Sequence, residues 1–388
     1  WQIIALSFGR HPVRQLTTYG HILGSETLEY RRSGRCDELA DLDDRAFIRL
    51  AERLRARVEP MVTIAEVAAA AGVSPSTVSR TFAAPDLVKR PTRERVLAVG
   101  ERLGYAPNPI ARSLAMGRTA SIGLLVPDVA NPFFAEIVKA IQARARGKGY
   151  TAFLADTDEH ETEEVELAEA MVRQVDGMVL VAPRMADEHV LAVAARCPTV
   201  LVNRVVGGLR AVTAPARDGM RQAVEHAAAL GHRHCCYVSG PRHSWSNGQR
   251  QEAMRSACED AGIRLTEFGP FEARFDSGVH AADLVRACGA TCVVAHNDMV
   301  ALGLLARFSE RGIAVPHEVS VIGVDDTLLA RSSNPLLTSV RLPLSSLGRR
   351  AVDLVVDLIT QPSRGAVPVI ELDSQLRVRR STGPAIAA

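Results

Sequence analysis

The sequence lacks the features of membrane, exported and disulfide-stabilised proteins. No run in its 388 residues approaches about eighteen uninterrupted apolar positions, so we expect no membrane span. The first residues, WQIIALSFGR, show no basic start followed by a long apolar segment and a small-residue cleavage site, so we expect a cytoplasmic protein. The seven cysteines form no paired framework, which is typical of buried thiols in a reducing compartment.

Motifs that hold phosphates or activate a nucleophile are also missing. No G-x-G-x-x-G follows the first predicted strand and no Gly-Lys-Ser/Thr occurs, which argues against dinucleotide and phosphate-loop enzymes. His243, Ser244 and Ser246 do not form a G-x-S-x-G elbow. Residues 232–236 resemble a metal cluster, but consecutive side chains of a strand point to opposite faces and cannot all meet one ion. We therefore predict no catalytic residue, no metal site, no cofactor and no enzyme activity.

What the sequence does contain is a short helical segment from Val62 to Arg118. Thr63, with a glutamate three residues later, predicts a capping box at the start of a first helix, and Gly72 predicts its left-handed end. Ser74, with Pro75 at the first helical position, predicts the cap of a second helix. Two short helices joined by a turn that contains Gly form the helix-turn-helix pattern, whose second helix enters the major groove of DNA.

The second predicted helix presents side chains that suit DNA. The hydroxyls of Ser76 and Ser79 can bind a phosphate or a base edge, and Arg80 can pair with a guanine. Thr92 is predicted to cap a third helix, and the proline-rich break after that helix lets Asn108 start a short fourth one.

Positive charge is concentrated in the same segment. Residues 61–118 carry eight Lys or Arg and four Asp or Glu, whereas the whole chain has an excess of only plus two. A solvated surface can show such a bias by chance, but the bias is also what a phosphate-binding module requires.

These motifs resemble those of a known family. The stretches VTIAEVAAAAGVSPSTVSR, TRERV, LGYAPN and ARSLA are similar, in order and spacing, to the headpiece of the LacI/GalR repressor family, and the likeness extends from about Val62 to about Arg380. The resemblance implies a hinge helix in which Leu114 is an apolar wedge for the minor groove; a buried helix residue is the alternative. Ala83 departs from the family, which commonly has an Asn there. The DNA-binding residues that we predict are Thr63, Ser74, Pro75, Ser76, Thr77, Ser79, Arg80, Thr92, Asn108, Ala111 and Leu114.

Beyond residue 119 the pattern changes to strands that alternate with helices. Strands are predicted at 122–126, 151–155, 177–181, 198–202, 236–238, 291–295 and 319–324. This alternation predicts parallel βαβ units in two successive open sheets, with a crevice at the carboxyl ends of the strands. The predicted fold is therefore α/β: an N-terminal helix-turn-helix headpiece with a hinge helix, followed by a two-subdomain core like that of the periplasmic binding proteins.

We predict three domains. They are a headpiece at 61–107, a hinge helix and linker at 108–118, and an effector-binding and dimerisation core at 119–388. Residues 1–60 fit no part of this pattern, and Met61 stands directly before the family-like start. We interpret residues 1–60 as a non-native or disordered N-terminal extension; a native extension of unknown role is the alternative.

Polar and aromatic side chains follow the predicted strands of the core. They suit a sugar, whose hydroxyls need paired polar groups and whose ring face needs an aromatic. The motifs VPDVANPFF, LVNR, SGPRHSWSNGQR, AHNDMVALG and GVDD resemble the family's effector contacts at the same places, with Arg250 expected on the turn after Gly240. The predicted effector-binding residues are Asp128, Phe133, Asn203, Trp245, Arg250, Asn297 and Asp325, and a helix cap or a salt bridge is the alternative role for each.

Together these features predict a sequence-specific DNA-binding repressor of carbohydrate-utilisation genes, controlled by a sugar or sugar-derived effector in the cleft. We expect a homodimer on a pseudo-palindromic double-stranded operator, with a tetramer left open and no membrane partner. Two alternatives are a periplasmic-type sugar-binding protein without DNA function and an α/β enzyme. The headpiece argues against the first, and the missing catalytic motifs argue against the second.

Overall fold

The computed structural model of the chain describes residues 62–83, 85–105, 118–361 and 368–386. The chain divides into two compact units. Trp1–Arg112 contains the predicted headpiece, and Ser113–Ala388 contains the predicted core. Three predicted DNA-binding residues, Asn108, Ala111 and Leu114, lie outside the described residues, as does the segment 1–60. The finer domain boundaries stay predictions.

The described headpiece contains α1 (Ile64–Ala71), α2 (Pro75–Ala83), a short 3-10 turn (Pro85–Leu87) and α3 (Arg90–Leu103). The capping box at Thr63 is confirmed, because Glu66 N donates to the Thr63 hydroxyl over 3.3 Å and Thr63 N donates to the Glu66 carboxylate over 2.7 Å. Gly72 ends α1 in the left-handed conformation, with a φ of 64°. The helices share a small core of Val67, Ala68, Ala71, Val78 and Val96.

The start of α3 differs from the prediction. The sequence predicts Thr92 as the N-cap, but the helix begins at Arg90, and Lys89 is the N-cap. Pro91 explains the difference, since its fixed φ and missing N–H fit the first turn of a helix. Thr92 therefore lies inside α3, and its predicted capping role is wrong.

The first half of the core, which we call the N-subdomain, is built on a parallel sheet. Its order in the described residues is β11-β5-β4-β3-β1-β2. The central strands β1, β3 and β4 are buried along their whole length, as parallel strands covered on both faces must be. The strands are β1 (Ser121–Val126), β2 (Thr151–Asp156), β3 (Gly177–Val181), β4 (Thr199–Val202), β5 (Arg210–Thr213) and β11 (Val369–Glu371), and the helices are α4 (Pro132–Gly147), α5 (Glu161–Val172), α6 (Asp187–Ala194) and α12 (Leu344–Thr360).

The C-subdomain has a second sheet, in the order β12-β10-β9-β8-β6-β7, in which only β12 runs antiparallel to its neighbour among the described strands. Its strands are β6 (His234–Val238), β7 (Arg264–Phe268), β8 (Cys292–Ala295), β9 (Ser320–Asp325), β10 (Thr338–Arg341) and β12 (Gln375–Arg377). Its helices are α7 (Arg217–Ala229), α8 (Trp245–Asp260), α9 (Phe275–Ala287), α10 (Asp298–Glu310) and α11 (Leu328–Ser332).

Helices α9 and α10 of the C-subdomain cross in close contact at two glycines. A Cβ on Gly303 would lie 2.0 Å from the carbonyl oxygen of Phe275, and a Cβ on Gly278 would lie 2.0 Å from that of Val300. Only glycine permits backbones to approach so closely.

The two sheets are not fully successive in sequence. The chain passes from the N-subdomain to the C-subdomain after β5, returns after β10 to form α12 and β11, and crosses again to form β12. The prediction of two parallel sheets is confirmed. The strands β5, β7, β10, β11 and β12, and the exchange of β11 and β12 between the sheets, were not predicted.

The described cysteines are free thiols, and His232 and His234 are hydrogen-bonded to hydroxyl groups. Six cysteines are described, all as free thiols and five of them buried. His232 contacts the hydroxyls of Thr291 (2.8 Å) and Ser320 (3.1 Å), and His234 contacts that of Thr266 (2.8 Å). Within the described ranges, no three side chains are grouped to hold a metal ion, and no helix is long and apolar enough to cross a membrane.

Candidate functional site

The first candidate site is a groove of about 360 Å³ on the headpiece. Three of its lining residues are basic and none is acidic, so it presents a positive surface of the kind that attracts phosphates. The groove lies between the start of α2 and the start of α3. Its lining residues are Val73, Ser74, Thr77, Arg80, Leu87, Val88, Lys89, Thr92 and Arg95.

Hydroxyl groups cluster at the start of α2, beside this groove. Thr77 N donates to the Ser74 hydroxyl over 3.2 Å, so Ser74 caps α2 as predicted. The same hydroxyl lies 2.8 Å from that of Ser76 and 2.9 Å from that of Thr77. Ser76 and Arg80 are exposed while Val78 is buried, so one side of α2 faces outward and the other holds the core. Of the remaining predicted residues, Thr63 and Pro75 are exposed, and Ser79 and Thr92 are partly exposed.

The structure adds residues that the sequence-based list lacks. Lys89 and Arg95 line the groove together with Arg80. Their contribution was visible in the sequence only as an excess of basic residues, because the predicted N-cap of α3, Thr92, lies three positions after the observed one, Lys89.

The second candidate site lies at the carboxyl ends of the core strands, where Arg250 and Asp325 form a buried ion pair. Arg250 Nη2 donates to Asp325 Oδ1 over 3.1 Å, and its Nη1 donates to the His296 carbonyl over 2.5 Å. The two side chains are only 4% and 3% exposed. Burial raises the pKa of Asp325 to about 8; the positive charge of Arg250 opposes this shift and the carboxylate of Asp298 adds to it.

Arg250 does not lie where the sequence placed it. We predicted Arg250 on the turn after Gly240, but α8 begins at Trp245, and the Ser244 hydroxyl accepts from Asn247 N to cap it. Arg250 is therefore in the second turn of a helix. This rigid position explains how a long side chain reaches the end of β9 with a fixed geometry.

Unpaired polar atoms mark the same strand ends. Among the described residues, five buried side-chain nitrogen or oxygen atoms have no hydrogen-bond partner, and Arg250 Nε is one of them. Three others, Asn203 Nδ2, Thr213 Oγ1 and His296 Nδ1, stand at or just after the ends of β4, β5 and β8. Each unpaired buried group costs about 1–3 kcal/mol. A polar ligand at these strand ends would supply the missing partners.

Backbone strain is concentrated at the same place. Asn203, Asp325 and Asp326 have positive φ values of 52°, 115° and 54°. Such conformations cost up to about 1–3 kcal/mol each in residues other than glycine and are typical of binding sites. Surrounding contacts hold them: Ala214 N donates to Asn203 Oδ1 over 2.9 Å, and Asp326 N donates to the Ser339 hydroxyl over 3.0 Å.

Asp298 fixes the loop after β9, although it is not among the predicted effector-binding residues. Its carboxylate accepts from Thr327 N (2.7 Å), from the Thr327 hydroxyl (2.9 Å) and from the Ser339 hydroxyl (2.6 Å). Burial raises the pKa of Asp298 to about 6 although these hydrogen bonds lower it. Asp298 therefore orients the loop that carries Asp325 and Asp326. Its position directly after Asn297 at a strand end was the available sequence signal.

Two predicted effector residues make mainly internal contacts. The Asn297 side chain caps α10 by accepting from Val300 N over 2.9 Å, and its amide group donates to the Ala273 carbonyl over 3.1 Å. Phe133 is only 6% exposed and packs edge-on against Phe134, with 4.9 Å between ring centroids. Each has little surface left for a ligand, and their effector role stays a proposal.

Asp128 and Trp245 are more accessible. Both are partly exposed, and Asp128 Oδ1 accepts from Ala130 N over 2.8 Å. Nearby, Arg274 of the C-subdomain donates to Asp158 of the N-subdomain over 2.6 Å. This ion pair bridges the two subdomains at their strand ends.

Comparisons with known proteins identify the family of the chain. Residues 63–108 match the model of the bacterial regulatory proteins of the lacI family, and residues 224–382 match that of a periplasmic binding protein-like domain. Catabolite control protein A of Priestia megaterium is 30% identical over 330 residues, which cover 83% of this chain and 99% of that protein. The crystal structure of the lac repressor dimer bound to operator and the anti-inducer ONPF has a TM-score of 0.75 at 26% identity, covering 84% of this chain and 100% of that one. The complex of the transcriptional regulator CelR with cellobiose has a TM-score of 0.62 at 30% identity, covering 82% of this chain and 99% of that one.

These relatives are transcription regulators and not enzymes. The alternatives of a sugar-binding protein without DNA function and of an α/β enzyme are therefore excluded. The match along almost the whole length of catabolite control protein A, together with the helix-turn-helix groove and the two-subdomain core, shows that this chain belongs to the LacI family of DNA-binding transcriptional regulators.

Proposed function

We propose that this regulator represses carbohydrate-utilisation genes as a homodimer and that an uncharged sugar, bound at the strand ends of its core, controls its affinity for the operator. The observation that carries the proposal is the group of buried, unpaired polar atoms on Asn203, Thr213, His296 and Arg250. These atoms come from both subdomains, so one ligand with several hydroxyls would connect the N-subdomain to the C-subdomain.

The chemistry of these groups favours a polyhydroxylated ligand. Arg250 Nε and Asn203 Nδ2 are donors, and the Asp325 carboxylate accepts, so paired donors and acceptors are available as sugar hydroxyls require. Trp245 is the nearby aromatic whose partly exposed ring suits the apolar face of a sugar. The CelR relative, which was solved with cellobiose, is a precedent for such a ligand.

Charge balance favours an uncharged sugar over a sugar acid. Besides Arg250, which is paired with Asp325, the arginines of this region are matched by acids: Arg184 donates to Glu159 over 2.6 Å and Arg204 donates to Asp187 over 2.5 Å. An anionic ligand would have to displace one of these partners. A neutral ligand would leave the pairs intact.

Effector binding would be coupled to DNA binding through the angle between the subdomains. Two headpieces of a dimer read two half-sites, so a change in their separation alters the fit to the operator. Such coupling is commonly worth about 1–3 kcal/mol, or roughly 5–150-fold in affinity.

The test is calorimetry of the purified full chain at a pH above about 8, where Asp325 is ionised, with hexoses, pentoses, disaccharides and sugar acids, guided by mass spectrometry of any ligand that co-purifies. Asp325→Asn keeps the shape of the side chain but removes its charge, and we expect at least a tenfold loss of affinity for the effector. Asp353→Asn is the matched control, because Asp353 is a carboxylate of α12 that pairs with Arg144 at the surface. Undiminished affinity in the Asp325 variant would place the effector elsewhere.

Operator binding is measured in parallel with the same variants. The effector should change the operator affinity of the wild type and of Asp353→Asn but not that of Asp325→Asn. A ligand that binds without any change in operator affinity would contradict the proposed regulation.

A further inference from the structure

Leu87 exposes more of its side chain than any other large apolar residue in the described part of the protein. Its exposed fraction is 78%, whereas Val78 on the adjoining helix is fully buried. Leaving a leucine in water forgoes the stabilisation that burial provides. A single exposed leucine is common on protein surfaces, so what makes Leu87 informative is its position in the headpiece groove.

The backbone around Leu87 is held in place. The residue ends the 3-10 turn Pro85–Leu87, in which Val88 N donates to the Pro85 carbonyl over 3.2 Å. Arg93 of α3 donates to the same carbonyl over 3.3 Å. The turn is thus tied to α3, and the Leu87 side chain projects from a fixed position.

Leu87 lines the groove that carries the DNA-facing residues. Ser74, Thr77 and Arg80 of α2 line it on one side, and Lys89 and Arg95 on the other. An apolar side chain set among three cations has no suitable partner in the phosphates that those cations attract. The apolar group that the major groove of DNA does offer is the C5-methyl of thymine.

We propose that Leu87 is a specificity-determining residue that packs against a thymine methyl in each half-site of the operator. The proposal rests on the headpiece groove being the DNA-reading surface. Arg80 and Ser76 would read base edges by hydrogen bonds, and Leu87 would add an apolar contact at a neighbouring base pair.

The experiment begins with selection of an operator from random duplexes by the full-length protein. Each thymine of the selected half-site is then replaced by deoxyuracil, which removes only the methyl group. We expect one such replacement to weaken binding of the wild type roughly fourfold per half-site, since about one methyl group loses its apolar contact. Leu87→Ala should bind the selected operator more weakly and be insensitive to that replacement.

Leu97→Ala is the matched control. Leu97 is also an exposed leucine of the headpiece, 42% exposed on α3, but it does not line the groove. This variant should retain both the wild-type affinity and the sensitivity to deoxyuracil. Leu87 and Leu97 both lie at the surface, so neither substitution should change stability much, and unequal folding does not confound the comparison.

Three results would overturn the proposal. Wild-type binding that is unaffected by every deoxyuracil replacement would exclude a methyl contact. Equal sensitivity of the wild type and Leu87→Ala would assign the methyl to another residue, and an equal loss of specific and non-specific affinity in Leu87→Ala would indicate a contact with the sugar-phosphate backbone. Failure to select any operator would instead contradict the role of the groove itself.

Discussion

At a pH above about 8, where Asp325 is ionised, replacing it by alanine should destabilise the core strongly, because the substitution leaves Arg250 charged and buried without its carboxylate. In the wild type Arg250 has two partners, Asp325 Oδ1 at 3.1 Å and the His296 carbonyl at 2.5 Å, and its side chain is 4% exposed. The variant keeps only the carbonyl. Breaking a buried ion pair on one side typically costs about 3–5 kcal/mol, which is a large part of the net stability of a domain.

Asparagine at the same position should cost less. Its side-chain oxygen can still accept a hydrogen bond from Arg250 at nearly the same place, so we expect roughly half of the loss seen with alanine. The double variant Asp325→Leu with Arg250→Met removes both charges and should be more stable than Asp325→Ala, since no unpaired ion remains.

Urea denaturation followed by tryptophan fluorescence is the assay. The chain has two tryptophans, Trp1 and Trp245, and Trp245 begins the helix that carries Arg250. In a Trp1→Phe background, Trp245 alone reports the unfolding of the C-subdomain. The midpoint and the slope give the free energy of unfolding of each variant.

A loss below about 1 kcal/mol for Asp325→Ala would refute this reasoning, because it would mean that solvent or another group replaces the carboxylate. A double variant that is less stable than Asp325→Ala would refute it as well. Either result would show that the unpaired charge of Arg250 is not the main cost of the substitution.

Three further predictions concern DNA binding, effector binding and packing. Arg80→Ala should lower specific operator affinity by roughly 1–3 kcal/mol in mobility-shift titrations at fixed salt. Arg102→Ala removes an exposed cation outside the groove and should leave the ratio of specific to non-specific affinity unchanged. The same ratio in both variants would show that Arg80 does not contact bases. In the proposed site sugar hydroxyls would donate to the ionised form of Asp325, whose pKa is about 8. Effector affinity measured by calorimetry should therefore rise as the pH passes through about 8 and level off above it, and this dependence should disappear in Asp325→Asn. A flat wild-type profile would count against the contact. Gly303→Ala should force α9 and α10 apart and cost about 1–3 kcal/mol or more in urea denaturation, and a neutral result would mean that the crossing can relax.

The sequence predicted the regular parts of the fold because they carry a periodic signal. The strands at 122–126, 151–155 and 177–181 agree with β1, β2 and β3 to within about one residue, and the caps at Thr63 and Ser74 are those observed. In each case a few neighbouring residues determine the local structure. The structure therefore confirms the helix-turn-helix and the alternation of strands and helices.

The features that were missed depend on partners distant in sequence. Strands β11 and β12 have three residues each, too few for a period, and their sheet is set by pairing with β5 and β10. The ion pair of Arg250 joins residues 75 positions apart, so its partner could not be read from the motif around Arg250. The sequence thus proposed residues for the site but did not predict which of them contact each other.

The exchange of strands between the two sheets has a consequence for synthesis of the protein. Neither subdomain is a continuous piece of chain, because β11 completes the first sheet and β12 the second only after residue 369 has been made. During translation both sheets must wait, with an unpaired edge on β5 and on β10, until the ribosome has released this last segment. A premature stop codon shortly before it would thus leave two incomplete domains instead of one intact and one missing. Chaperones that shield strand edges would be needed on β5 and β10 until β11 and β12 have been made.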